Sequence, residues 1–250
     1  MHTLATLVED LDRLGIRADD RLLVHSSMKA VGAVEGGAET VVDALVRVVR
    51  DGLLLLPTHT WSETNNRDGV FDPRTEPSCV GVLTERFRHR SGVIRSWHPT
   101  HSMAGLGAAA ASFLGGEERT RTPCPREGCW GRLYDVDARI LFLGAPLRTN
   151  TFLHSVEEWH RIPDRLAAVP TVFRIRTPED TLIECPQFRH SSSVGDVSRF
   201  YDKIEADLLR EGIAREGRVG DARCVLCEAR GMAELVGRRL EREPQFFEHR

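Results

Sequence analysis

No apolar stretch of this sequence approaches the length of a membrane span, and the longest aliphatic run, Leu53 to Leu56, suits a buried strand. A secretory leader is not expected either, because Met1 to Gly15 carries acidic residues at helical spacing rather than a basic start and an apolar block. Lysine is nearly missing: Lys29 and Lys203 are the only two. The positive charge is therefore almost all guanidinium, which suits bidentate contacts with phosphates and carboxylates but also follows from genomic base composition. Nor is there an excess of one charge. A net charge of −3 excludes wrapping nucleic acid or a polyanionic surface. The Walker Gly-Lys-Ser/Thr, the GxGxxG fingerprint and HExxH are all absent. Cys224-Val-Leu-Cys227 has no second pair to complete a zinc site, since Cys124 and Cys129 are spaced too widely. It also falls in a strand-like run that would turn its two sulfurs to opposite faces. Without a leader, the six cysteines read as reduced thiols, and the chain is expected in the cytoplasm.

A chain of 250 residues buries most of its unfolded surface and needs no disulfide or metal to stabilise it. Leu4, Leu7, Leu11 and Leu14 share one helical face, which Gly15 ends. Leu22-Leu23-Val24 reads as a strand, Thr40 to Arg50 as a helix and Leu53 to Leu56 as a second strand closed by Pro57. Strand, glycine loop, helix and strand open an α/β layered fold. Thr58 to Pro77 lacks periodicity and reads as a long functional loop. Further along, Val80 to His89 is expected as helix, Arg95 to Ser102 as loop and Ala104 to Leu114 as mostly helix. Arg139 to Gly144 reads as a third strand, with a helix from near Thr151. Antiparallel strands are expected from Val169 to Ser193, a helix over Arg199 to Glu211, a strand over Ala222 to Glu228 and a last helix over Met232 to Arg242. No repeat or linker divides the chain, so one domain over 1–250 is expected.

Three apolar strands run into small polar residues and histidine: His25-Ser26-Ser27, Thr58-His59-Thr60, and Thr149-Asn150-Thr151 leading to His154. The carboxyl ends of strands in open α/β sheets form the ligand crevice, although Ser and Thr in such places also serve simply as helix caps. His25-Ser26-Ser27 before Gly32, Gly36 and Gly37 has the make-up of an anion-cradling turn. His154 and Glu157 are three residues apart, adjacent on one helical face, the arrangement that fixes a tautomer and raises basicity for a general base. By spacing alone, a solvated helix surface is the better reading of the pair.

Taken in order, these segments resemble aminoglycoside 3-N-acetyltransferases. The match runs through Val24-His25-Ser26-Ser27, Leu56-Pro57-Thr58-His59-Thr60, Phe71-Asp72-Pro73 with Pro77-Ser78, and Glu85-Arg86-Phe87-Arg88. It continues through Arg95-Ser96-Trp97-His98-Pro99, Leu143-Gly144, Asn150-Thr151 and His154 with Glu157. The resemblance implies a single-domain α/β/α layered fold, distinct from GNAT, with a small β-rich variable segment. It implies direct transfer of acetyl from acetyl-CoA to the 3-amino group of an aminoglycoside, with His154 as base, Glu157 as its partner and Thr60 as oxyanion donor. It further implies that His25, Ser26, Ser27, Arg95, Ser96 and Ser102 line the CoA channel. Glu63, Asp72 and Glu158 are the acidic complement to a cationic acceptor, and a homodimer is left open. Two alternatives remain: another small amine as acceptor, or a metal-dependent hydrolase using His25, His59, His98 and His154.

Overall fold

The computed structural model describes residues 1–62 and 68–248. Helix α1 (Leu4–Arg13) starts with a reciprocal cap, in which Thr6 N donates to Thr3 Oγ1 and Thr3 N donates to Thr6 Oγ1 at 2.9 Å. Strand β1 (Arg21–Ser26), the short α2 (Met28–Val31), α3 (Ala38–Val48) and β2 (Leu53–Pro57) follow. Next come β3 (Val70–Phe71), α4 (Val82–Arg88), β4 (Ile94–Arg95), β5 (Met103–Leu106), α5 (Ala110–Leu114) and α6 (Cys129–Asp135). Strand β6 (Arg139–Leu143) leads to α7 (Thr151–Trp159), and β7 (Thr171–Arg176) and β8 (Leu182–Gln187) form a hairpin. A 3-10 segment (Val197–Ile204) runs into α8 (Glu205–Arg210), and β9 (Ala214–Val219), β10 (Ala222–Glu228) and α9 (Ala229–Arg242) complete the order.

The main sheet has seven strands in the order β4-β5-β2-β1-β6-β10-β9. Its centre is parallel, with Leu22 opposite Leu54 on one side and His25 opposite Phe142 on the other. Central parallel strands are covered on both faces, which is why β1, β2 and β6 read as unbroken apolar runs. Leu53, Leu55, Ile140, Phe142 and Cys227 face a layer holding Trp130, Phe152, Val156 and Leu240. Leu54, Leu56, Leu141, Leu143 and Cys224 face Leu7, Leu11, Val42, Leu45 and Phe87. The chain is thus a three-layer α/β/α structure, and Cys224 and Cys227 do fall on opposite faces. Burial of each such leucine contributes about 1.5–3 kcal/mol.

Beside this sheet lies a three-stranded one, β3-β7-β8, closed over Phe71, Ile175 and Cys185. The hairpin falls in the segment expected to be β-rich. Strand β3, inside the segment read as loop, joins the hairpin with Phe71 in register with Ile175.

Three readings of local structure change. Met103–Leu106 is a strand rather than the start of an alanine-rich helix, because its pairing with β2 outweighs alanine's helix propensity. Gly105 permits that pairing: a Cβ there would lie 2.9 Å from Leu55 Cδ2. Strand β9 was invisible because Arg215, Glu216 and Arg218 give it an edge strand's polarity rather than apolar alternation. The helix expected over Arg199 to Glu211 divides into the 3-10 segment and α8, and that division aims Tyr201 inward.

Candidate active site

Because β1, β2 and β6 are parallel, their carboxyl ends share one edge of the sheet. A cavity of about 580 Å³ opens there, against His25, Ser26, Pro57, His59, Ala145 and the first turns of α7. Gly144, at φ 64°, turns the chain out of β6; a Cβ there would meet Ala30 Cβ at 2.4 Å. The turn delivers Asn150, Thr151 and His154 to the cavity wall.

His154 lines that wall with a side chain 17% exposed. Its Nδ1 lies 2.7 Å from Tyr201 Oη, and Tyr201 donates to Glu157 Oε2 at 2.5 Å. His154 Nδ1 is 3.6 Å from that same carboxylate oxygen, beyond hydrogen-bond range. Helical spacing therefore brings His154 and Glu157 to one place, and a tyrosine 47 residues away joins them. Burial raises the Glu157 carboxyl, but the contacts with His154, Tyr201 and Arg165 outweigh it and hold the pKa below the ordinary value. Burial, followed by the Glu157 charge, pushes the Tyr201 phenol well above its usual range. Glu157 is thus a carboxylate and Tyr201 a phenol, whose single proton points at Glu157. Tyr201 must then accept from His154, which puts the imidazole proton on Nδ1 and the lone pair on Nε2.

The far oxygen of Glu157 accepts from Arg165 Nε at 2.6 Å, and Arg165 Nη1 reaches Glu248 Oε1 at 3.2 Å. Arg161 and Asp164 both adopt left-handed backbone conformations, unusual for residues with a side chain, and they fold the chain back so that Arg165 meets Glu157.

Of the other imidazoles around the cavity, only His190 has a carboxylate partner among the described residues, Glu158. His190 stacks on His154 at 4.1 Å, His101 meets His190 at 4.9 Å, and His59 meets His101 at 4.8 Å. Burial foremost, then His154, lowers His190 to about 4; burial lowers His25 to about 3 and carries His59 and His101 well below their usual value. All four are neutral near pH 7. His98 lies outside the cavity lining, with Nδ1 accepting from Thr100 N and His101 N.

Of the residues singled out from the sequence, His154, His25 and Ser26 line the cavity. Ser27 leads α2, and its N–H donates to Leu143 O. Arg95, Ser96 and Ser102 do not line the cavity. The Arg95 guanidinium is buried, donating to Thr58 Oγ1, Ser102 Oγ and the carbonyls of Thr58, Pro73 and Glu76, a knot that ties β4 to the end of β2. Ser96 Oγ accepts from Met103 N. Thr60 is likewise off the lining, its hydroxyl donating to Pro99 O at 2.6 Å. Asp72 grips Arg74 through both carboxylate oxygens. Glu158 accepts from Thr122 Oγ1 and Cys124 N, and it meets His190 Nε2 at 3.4 Å from behind. Glu63 lies outside the described residues. Among the described residues, the charged groups that do line the cavity are Arg148, Arg165, Arg189 and Asp196.

Among the described residues, the ligand atoms of Cys124, Glu158 and His190 lie within 4.8 Å of one another. Both Glu158 oxygens already accept hydrogen bonds, and burial holds the Cys124 thiol far from ionisation, so the cluster works as the support of His190. His25, His59, His98 and His154 form no such group there.

Tyr201 and Arg165 were missed by sequence reasoning. The one signal for Tyr201 is the buried spacing Val197, Tyr201, Ile204, which marks an inward face but not what it meets. Nothing local marks Arg165 among so many arginines.

The three-layer α/β/α sheet thus carries an oriented imidazole in a cavity at its carboxyl edge. The model of the family described as aminoglycoside 3-N-acetyltransferase matches residues 23–241. The chain is 32% identical to aminoglycoside N(3)-acetyltransferase VII of Streptomyces paromomycinus, over 93% of this chain and 89% of that one. Two solved structures align with TM-scores of 0.83. Aminoglycoside acetyltransferase AAC(3)-Xa is 30% identical over 96% of this chain and 92% of its own, and AAC-IIIb with CoASH is 25% identical over 96% of both. The chain belongs to the aminoglycoside 3-N-acetyltransferase family, and it is an acyltransferase that uses acetyl-CoA.

Proposed function

We propose that this enzyme transfers the acetyl group of acetyl-CoA directly to an amine of an aminoglycoside, at its 3-amino position, with His154 as general base. The observation that carries this reading is the chain His154–Tyr201–Glu157, which leaves Nε2 unprotonated in the cavity wall. Bound acetyl-CoA supplies the activated acyl group as a thioester. His154 Nε2 takes the proton of the attacking amine, and the ionised Glu157 stabilises the imidazolium through the Tyr201 hydroxyl. An oxyanion needs a donor already aimed at it. Thr60 is committed to Pro99 O; His59 Nε2 and Thr151 Oγ1 lie 3.0 Å apart in the cavity wall, and we assign this part to that pair. Arg148 and Arg189, rather than the buried Arg95, are suited to the CoA phosphates.

One observation favours a different acceptor amine within the same chemistry. Among the described residues the cavity lining carries three guanidiniums, one of them bound by Glu157 and Glu248, against the carboxylate Asp196, which suits an amine with fewer positive charges than an aminoglycoside. Free-thiol release from acetyl-CoA across a panel of aminoglycosides and simpler amines separates the two. Release with no amine at all would overturn both. Six free cysteines fit a reducing cytoplasm, and among the described residues no helix is long and apolar enough to cross a membrane. The homodimer left open by the resemblance is settled by sedimentation.

A further inference from the structure

We propose that the C-terminal segment Phe246–Glu248 is a strap that positions the catalytic imidazole and raises its proton affinity. This rests on the reading of His154 as base. The segment follows α9 in the chain and packs behind the site. Phe247 is fully buried, its ring edge-on to Tyr201 at 4.8 Å, so it backs the phenol that links His154 to Glu157. Lys203, two residues after Tyr201, donates to Phe246 O at 3.0 Å, and Arg239 of α9 lies over the Phe246 ring. These contacts hold the segment to both of its neighbours.

The electrostatic part belongs to Glu248. Arg165 is buried and bonds Glu157 and Glu248, one carboxylate on each side. If Glu157 alone faced Arg165, the guanidinium charge would cancel most of what Glu157 offers the imidazolium. Glu248 takes up that cation and leaves Glu157 as net negative charge beside His154. The rings packed directly on His154 add no charge near pH 7. His190, stacked on its ring, is neutral, and Tyr201 is a phenol. Glu158 lies beyond His190 and is bound by Thr122 and Cys124. The ladder Glu248–Arg165–Glu157–Tyr201–His154 is the hydrogen-bonded charged path to the ring, while Arg148, Arg189 and Asp196 face it across the cavity.

The test is Glu248→Gln, which keeps the size and an acceptor for Arg165 but removes the charge. NMR titration of the His154 ring, assigned by His154→Asn, should show its pKa falling by about half a unit or more. The acidic limb of the kcat/KM profile should move to lower pH in step. Phe247→Leu keeps the charges and loosens the backing of Tyr201, so kcat should fall several-fold with the His154 pKa unchanged. A strap that served stability alone would lower Tm in both variants and leave the titration in place. A His154 pKa within about 0.2 units of wild type in folded Glu248→Gln therefore overturns the proposal. If Glu248→Gln fails to fold, Glu248→Ala takes its place with the same titration readout, and an unchanged kcat in Phe247→Leu overturns the positioning part. Because the titration needs no turnover, an active His154→Ala would sink the base assignment while leaving this test readable.

Discussion

Two walls of the cavity use histidine in opposite ways. On the helical wall, His154 is tied through Tyr201 to a buried carboxylate whose charge is kept by hydrogen bonds. On the strand-end wall, His25 and His59 are buried without a carboxylate, and His25 stacks flat on Phe142 at 5.2 Å. Desolvation without a counter-charge makes a histidine neutral, useful as a fixed donor or a packing ring; an oriented carboxylate makes it a base. Residue type is shared, and the carboxylate partner together with the partial exposure of His154 decides the role.

The sharpest way to break this contrast is His154→Ala. General-base contributions run to about 10²–10⁴-fold, so kcat should fall by that much with CoA affinity little changed and the acidic limb of the pH–rate profile lost. A near-normal kcat with the limb intact would place the base elsewhere. Next, Tyr201→Phe keeps the ring on Phe247 but cuts the bridge. It should lower kcat by about tenfold or more, and the His154→Ala/Tyr201→Phe double variant should be little worse than His154→Ala, because residues acting as a unit are not additive. Full additivity in that cycle would separate the tyrosine from the base.

Arg95→Met tests the strand side. It strips donors from buried carbonyls of Thr58, Pro73 and Glu76, and it should cost about 1–3 kcal/mol of stability for each one left unpaired. Thermal melting should show that loss with the KM for acetyl-CoA nearly unchanged; a raised KM without destabilisation would restore Arg95 to the cofactor channel.

The neutral histidines also predict a pH dependence of stability. Their folded pKa values lie below the unfolded value: about 3 for His25 and about 4 for His98 and His190. Between roughly pH 6.5 and 4 the unfolded chain binds protons that the folded chain does not, so stability falls as pH falls through that window. Each such histidine contributes about 1.4 kcal/mol per pH unit there. Denaturant melts at pH 7 and 5 should show the drop; a flat profile would mean these rings are charged in the fold. The smallest effect belongs to Asp72→Asn. It breaks an ion pair with a half-exposed Arg74, so it should change stability by at most about 1 kcal/mol and leave the acceptor KM alone.

By itself, the sequence determined the layers. Leu22-Leu23-Val24, Leu53 to Leu56 and Ile140 to Leu143 read as buried strands, since continuous apolar runs of that length suit cover on both faces. The strand-end polar clusters, and the one-turn spacing of His154 and Glu157, were legible for the same local reason: periodicity along a regular element is written in adjacent residues. Tertiary structure decided what each of those side chains meets. Tyr201 reaches His154 because a 3-10 segment and α8 replace one long helix, and Arg165 reaches Glu157 through two left-handed residues. Arg95 is withdrawn into carbonyls of three separate residues, and Glu158 turns to the back of His190. Contacts between residues dozens of positions apart leave no periodic trace, so whether a carboxylate faces a substrate, an arginine or a backbone amide is settled only when the layers close.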